Sequence, residues 1–104
     1  MSARDQRIRL DLNDPEFQAQ LFTLEKEEQR AVLNTLRKLS RMEWPQLFTD
    51  RGLKWETILS RTGPHGERLA SLRISQKFRA VAMRDGTWLR LLTLHPDHDS
   101  AYKD

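Results

Sequence analysis

The sequence predicts an α+β fold in the order β-α-α-β-β-β, with two N-terminal helices packed on one face of a mainly antiparallel sheet. Three observations predict this fold: an alternating segment near the start, two apolar runs at helical spacing, and three strand-like segments near the end. The chain has 104 residues, of which 38% are hydrophobic, and this suits one compact core. We therefore expect a single domain over residues 1–104.

The first strand and the two helices follow one another closely. Residues 7–12 alternate between polar and apolar side chains, which predicts a half-buried strand. Asp14 is a predicted N-cap, and Pro15 suits the first helical position because its missing amide hydrogen needs no partner there. Apolar residues then recur at helical spacing over residues 17–24 and again over residues 32–39. We expect a junction between the two helices near residues 23–25.

The middle of the chain, residues 42–66, has the weakest pattern. Trp44-Pro45 is expected to end helical continuity, because the residue before a proline is disfavoured in the α region. Residues 50–52 suggest a turn, and residues 53–58 suit either a short strand or an extended packing segment. The composition of residues 61–66, with two glycines and a proline, predicts a loop.

The last third of the chain predicts a three-stranded antiparallel meander. Residues 69–75 alternate between an apolar and a largely polar face, and residues 78–83 are mostly apolar. Asp85-Gly86 is a strong hairpin signal, and residues 88–94 form an apolar run suited to a central strand. With both helices on one face of this sheet, we expect the other face to be free.

Charge is concentrated in the predicted sheet. The whole chain carries a net charge of +3, but residues 61–92 contain seven Arg and Lys residues against only Glu67 and Asp85. Such polarisation is typical of a surface that binds an anionic partner. The absence of cysteine excludes disulfides and thiolate metal sites. The sequence has no apolar run of signal-peptide or membrane-spanning length, so we expect the cytoplasm as its location.

Cations, imidazoles and a phenol gather toward the end of the chain, where the sequence closes on His95-Pro-Asp-His98-Asp-Ser-Ala-Tyr102. Arg and Lys neutralise phosphate, while His and Tyr can give or take a proton. This combination suits chemistry on a phosphodiester and points to RNA.

Two segments resemble the RelE/ParE toxin superfamily: residues 72–81, Leu-Arg-Ile-Ser-Gln-Lys-Phe-Arg-Ala-Val, and the ending His-x-x-His-Asp-x-Ala-Tyr. The resemblance implies a toxin of a type II toxin-antitoxin system that is held inactive by a cognate antitoxin. It further implies an mRNA endonuclease, typically ribosome-dependent, that represses translation and needs neither a metal nor another cofactor. The expected partners are the antitoxin, mRNA and the ribosome, with no membrane involved.

The resemblance also assigns expected roles to individual residues. Arg79 follows an aromatic residue, as in the family's Tyr/Phe-Arg-x-x strand, and would clamp the scissile phosphate. His98 and Tyr102 match the His and Tyr at the C-terminal edge of many members, and His98 would act as acid or base. The residues expected to bind substrate are Arg73, Lys77 and His95.

Other interpretations of these residues remain open. The best-studied ribosome-dependent members carry paired lysines where this chain has Ser71 and Arg73, so the general base is not assigned, and Glu56 is an alternative. A gyrase-inhibiting branch of the superfamily uses the fold without a nuclease centre, and an inactivated member would serve as a binding module.

Structural roles compete with the catalytic ones. Arg79 would in that case pair with Asp97 or Asp99 and stabilise the C-terminal segment. The two histidines near the end would be ordinary turn residues. Their spacing also suggests a metal site, but a third clear ligand is missing from the sequence around them.

Overall fold

The computed structural model describes residues 5–96 and confirms the predicted α+β fold. In chain order, the described elements are β1 (Arg9–Asp11), α1 (Pro15–Thr23), α2 (Lys26–Leu39), α3 (Trp44–Thr49), β2 (Glu56–Thr62), β3 (Arg68–Arg73), β4 (Arg79–Asp85) and β5 (Trp88–His95).

The strands form one mainly antiparallel sheet in the order β1-β5-β4-β3-β2. Strands β2 to β5 pair antiparallel with their neighbours in sequence, as a meander does. Strand β1 instead lies parallel to β5, with Arg9 opposite Trp88 and Asp11 opposite Arg90. The first and last strands are therefore neighbours, and β5 lies inside the sheet over only the first part of its length.

The helix boundaries follow from local capping. Asp14 Oδ1 accepts hydrogen bonds from the backbone amides of Glu16 and Phe17, at 2.9 and 3.2 Å, and Pro15 occupies the first turn of α1 as predicted. Helix α2 begins at Lys26, close to the expected junction, and Glu25 and Glu28 form a reciprocal capping box there.

Helix α3 corrects the prediction made for Trp44-Pro45. Helix α2 already ends at Leu39, and Trp44-Pro45 begins a new helix, because proline is tolerated in a first turn where amide groups need no helical acceptor. The side chain of Gln46 caps this turn by accepting a 2.8 Å hydrogen bond from the Glu43 amide. Trp44 is fully buried, and its Nε1 donates to the Thr87 carbonyl oxygen at 3.1 Å.

Strand β2 corrects a second prediction. The segment that sequence left open is a strand that continues to Thr62, so Arg61 and Thr62 belong to β2 rather than to the loop. The β2–β3 register shifts between Ile58 and Thr62, and this irregular pairing explains why alternation is weak there. The loop itself is confined to residues 63–67, where Gly66 has a φ of 81° that favours glycine.

The helices pack on one face of the sheet, as expected, and the second face carries a small apolar cluster made of strand residues. The main core lies between the helices and one face of the sheet. On the opposite face, which we call the far face, a smaller cluster contains Ile58, Leu69, Val81 and Met83. This happens because β4 is apolar from Ala80 to Met83, so its alternating side chains are buried on both sides.

Within residues 5–96, no helix is long and apolar enough to cross a membrane.

We predict that Trp44→Ala lowers the free energy of unfolding by about 3–5 kcal/mol, because it empties a large core site. It also removes the hydrogen bond to Thr87 and the ring on which the Arg84 guanidinium stacks, 4.4 Å from the ring centroid. Urea denaturation measures the change. The matched control is Phe22→Ala, whose side chain is 75% exposed and should change the free energy by no more than about 0.5 kcal/mol. Equal effects of the two substitutions would contradict the assignment of Trp44 to the core.

Candidate active site

A β-bulge in β5 decides which side chains of this strand reach the far face. Val81 pairs with Thr93 while the next residue, Ala82, pairs with Leu91, so Leu92 is an extra residue in β5. Side chains alternate along a strand, and an unbroken register would place Thr93 and His95 on the same side as Leu91, in the main core. The extra residue moves both polar side chains to the far face.

A side chain from α1 supports the bulged end of β5. Strand β1 pairs with β5 only as far as Arg90, so among the described residues no strand neighbours the outer edge of β5 beyond that point. There the Leu94 amide donates a 2.7 Å hydrogen bond to Gln20 Oε1. An amide that would otherwise lie unpaired at a partly buried edge is thereby satisfied.

The strand register aligns mostly polar residues in two adjacent rows across the far face. One row contains Glu56, Ser71, Val81 and Thr93, each opposite the next on neighbouring strands. The next row contains Arg73, Arg79 and His95. Directly opposed residues have Cβ atoms about 4.5–5.5 Å apart. The register therefore brings together the residues that we call the far-face patch: Glu56, Ser71, Arg73, Arg79, Thr93 and His95.

Arg79 is buried within this patch, with only 4% of its surface exposed. Its Nη1 donates to the carbonyl oxygens of Ser75 and Gln76, at 3.2 and 3.3 Å. The guanidinium thus holds the turn between β3 and β4, and Lys77 lies exposed in that turn. Arg79 contributes a positive charge at the base of the patch, held by two backbone carbonyl oxygens, while Lys77 presents an exposed charge at the surface.

Arg73, the last residue of β3, is half-buried beside Arg79. Its backbone amide donates to the Leu53 carbonyl oxygen at 2.7 Å. The side-chain Nε is buried and makes no hydrogen bond within the described part of the chain. Buried donors normally have acceptors, so an unsatisfied guanidinium N–H makes Arg73 suited to binding an anionic group.

His95 is held in a defined orientation. Its Nε2 lies 2.8 Å from Thr93 Oγ1, a hydrogen bond whose donor depends on the tautomer of the ring. Burial lowers the pKa of His95, the positive charge of Arg61 lowers it further, and Glu16 acts in the opposite direction. The imidazole is therefore neutral at pH 7 and able to accept a proton.

The structure groups some of the predicted site residues and leaves others outside its range. Arg73, Arg79 and His95 share one row, and Lys77 lies in the adjoining turn. His98 and Tyr102, together with Asp97 and Asp99, lie outside the described residues. Within residues 5–96, no three His, Asp or Glu side chains are placed to hold a metal ion.

Sequence reasoning missed three residues that support the end of β5 or influence His95, namely Thr93, Gln20 and Arg61. Thr93 had a usable signal, because it is the one polar residue between the apolar neighbours Leu91, Leu92 and Leu94. Gln20 and Arg61 gave no such signal, because the bond of Gln20 to Leu94 and the effect of Arg61 on His95 depend on how distant segments pack.

Two solved structures have a similar arrangement of elements. The archaeal RelE–RelB complex from Pyrococcus horikoshii OT3 contains a chain that matches with a TM-score of 0.61 and 16% identity, over 86% of this chain and 94% of that one. This chain has the RelE-like toxin fold. A copper-bound mutant toxin from Helicobacter pylori shares the fold with a TM-score of 0.52 and 19% identity, over 89% of this chain and 97% of that one.

At these identities, the likeness establishes the fold and not the activity. No family model matches the sequence, and a sequence search of curated proteins finds no significant match. The predicted resemblance to RelE-like toxins is confirmed at the level of the fold.

We predict that His95 titrates below the ordinary histidine pKa of 6.5, and NMR titration of its ring protons measures this. Arg61→Gln should raise the pKa, because it removes a nearby positive charge, and Glu16→Gln should lower it. Because folding lowers the pKa, the stability linked to neutral His95 is present above about pH 6.5 and decreases as the pH falls below that value. A wild-type pKa at or above 6.5 would contradict the described environment of the ring.

Proposed function

We propose that this chain is the toxin of a type II toxin-antitoxin system and acts as a metal-independent mRNA endonuclease. The observation that carries the proposal is the row formed by Arg73, Arg79 and His95, in which the buried Arg73 Nε has no acceptor among residues 5–96. Two cations beside a neutral imidazole supply the charge stabilisation and the base that cleavage of an RNA phosphodiester uses. The RelE-like toxin fold supports the same function.

In the proposed reaction, the 2′-hydroxyl of RNA attacks the adjacent phosphorus while the bond from phosphorus to the 5′-oxygen breaks. His95 accepts the proton of the 2′-hydroxyl, because its lowered pKa keeps it neutral at pH 7. The half-buried Arg73 guanidinium donates to a non-bridging phosphate oxygen, and the charges of Lys77 and Arg79 stabilise the pentacoordinate phosphate. The leaving 5′-oxygen must receive a proton, and His98, for which the sequence predicts a role as acid or base, would supply it.

The proposal includes the partners and the setting of this reaction. The fold is shared with a chain from a RelE–RelB complex, which supports an antitoxin as the partner of this chain. The whole chain would act as one toxin domain in the cytoplasm, where it would bind mRNA on ribosomes and repress translation.

Induction of the chain in bacteria tests the proposed activity. We expect growth arrest and new mRNA ends with the wild type, and loss of both with Arg79→Ala at equal expression. Arg79 also holds a turn, so Arg79→Ala can act through the fold. Arg73→Gln is therefore the second variant, because the Nε of Arg73 makes no hydrogen bond within residues 5–96 that the substitution would break. Loss of one transition-state donor should slow cleavage roughly 10²–10³-fold. Arg37→Ala, which removes an exposed cation from the last turn of α2, is the matched control and should remain fully active.

Two outcomes of that experiment would contradict the proposal. Arrest without mRNA cleavage would point to the gyrase-inhibiting alternative, which a DNA supercoiling assay then tests. Absence of arrest, with no new mRNA ends, would favour an inactivated binding module.

The identity of the general base gives a separate prediction. His95→Gln should lower the single-turnover cleavage rate by roughly 10²–10⁴-fold, the usual contribution of a general base. Glu56→Gln, which removes the carboxylate in the adjacent row, should leave the rate within a few-fold of the wild type. The rates are measured on ribosome-bound mRNA across a range of pH values. A large loss in Glu56→Gln with a small loss in His95→Gln would reverse the assignment.

A further inference from the structure

A cavity of about 420 Å³ opens on the far face beside His95. Thr93 lines it, and the same Thr93 hydroxyl contacts the His95 ring at 2.8 Å. Arg61 and Glu16, the two charges that influence the pKa of His95, also line it. The volume falls within the range of roughly 300–1,000 Å³ that is usual for small-molecule sites. The cavity therefore adjoins the group that the proposed reaction uses as its base.

The walls of the cavity differ in character. Leu69, from the apolar cluster of the far face, and Leu92, the bulged residue, supply an apolar surface. Gly63 and Pro64 form a second wall in the β2–β3 loop. This loop is fixed by its own hydrogen bonds: the Gly63 amide donates to the Glu67 carbonyl oxygen at 2.8 Å, and the His65 amide donates to Glu67 Oε1 at 2.9 Å.

The polar groups of the cavity argue against a phosphate as its occupant. Among its charged lining residues, the carboxylates of Asp14 and Glu16 outnumber the single cation, Arg61, so the lining as a whole disfavours an anion. Phosphate is better accommodated by the cations of the neighbouring row and its turn. An occupant that packs against leucine and also offers N–H donors to a carboxylate fits better, and nucleobases have both properties.

We propose that this cavity binds a guanine base of the RNA, next to the phosphate that is cleaved. Guanine presents two adjacent donors, N1–H and N2–H, which match the two oxygens of a carboxylate. Glu16 is the acceptor: its side chain is exposed at the cavity, whereas Asp14 Oδ1 already caps α1. The base packs on Leu69 and Leu92, and Arg61 neutralises a backbone phosphate of the bound strand. The inference rests on the proposed function, since it assigns a base preference to that same site.

Binding of short RNAs tests this site without any cleavage. Fluorescence anisotropy is measured with the full chain and labelled oligouridines that carry 2′-fluoro groups and one central G, A, C or U. We expect the RNA with a central G to bind on the order of 10-fold more tightly than the other three, the discrimination that one bidentate contact provides. Glu16→Gln should abolish that preference, because the amide replaces one acceptor oxygen with a donor. Glu27→Gln is the matched control from the first turn of α2 and should retain the preference.

Equal affinity for the four RNAs, a preference that survives Glu16→Gln, or no binding at all would each overturn the inference. The outcome is separable from that of the proposed function. A guanine preference lost in Glu16→Gln, in a protein that cleaves no mRNA, would support the base site and refute the nuclease. Cleavage at ends with no base preference would support the nuclease and refute the base site.

Discussion

The pairing of β4 with β5, interrupted by the bulge at Leu92, is the constraint on which the proposed site depends. Before the bulge, β5 alternates so that Leu89 and Leu91 enter the main core. After it, Leu94 still faces the core, while Thr93 and His95 face the opposite side of the sheet. One inserted residue therefore lets the same strand fill the core and supply an imidazole to the far face. Gln20 stabilises this arrangement from α1 by accepting the hydrogen bond of the Leu94 amide.

The far face combines an apolar cluster with a cationic row, and the two depend on each other. Val81 and Leu69 are buried beside Ser71, Arg73 and Arg79, so the guanidinium groups lie partly shielded from water. Charges in such surroundings interact more strongly with a bound anion than charges at an open surface do. Their mutual repulsion is reduced where the Arg79 guanidinium contacts backbone carbonyl oxygens, which solvate it in place of water. The neutral state of His95 has the same origin, namely burial close to positive charge.

Sequence patterns predicted the elements that have clean periodicity and failed where two signals compete. The capping of α1 by Asp14, the hairpin at Gly86 and the strands of the meander all follow from local rules. Trp44-Pro45 was misinterpreted because proline has opposite effects inside a helix and in its first turn, and only packing decides between them. Placement of Arg73 and Arg79 together was predictable from the alternation of adjacent strands. The bulge was not, since nothing in the apolar run of β5 reveals which residue is extra, and the contacts of Gln20, Arg61 and Glu16 with the His95 region depend on it.

The central claim is that RNA binds to the far face of the sheet, at the patch that the bulge assembles. Amide chemical shifts of the labelled protein, recorded by NMR during titration with an uncleavable RNA, test it most directly. The account predicts that the largest shifts cluster at Arg73, Lys77, Arg79, Thr93 and His95. Shifts that cluster instead on the exposed surfaces of α2 and α3, with the far face unchanged at saturation, would contradict it.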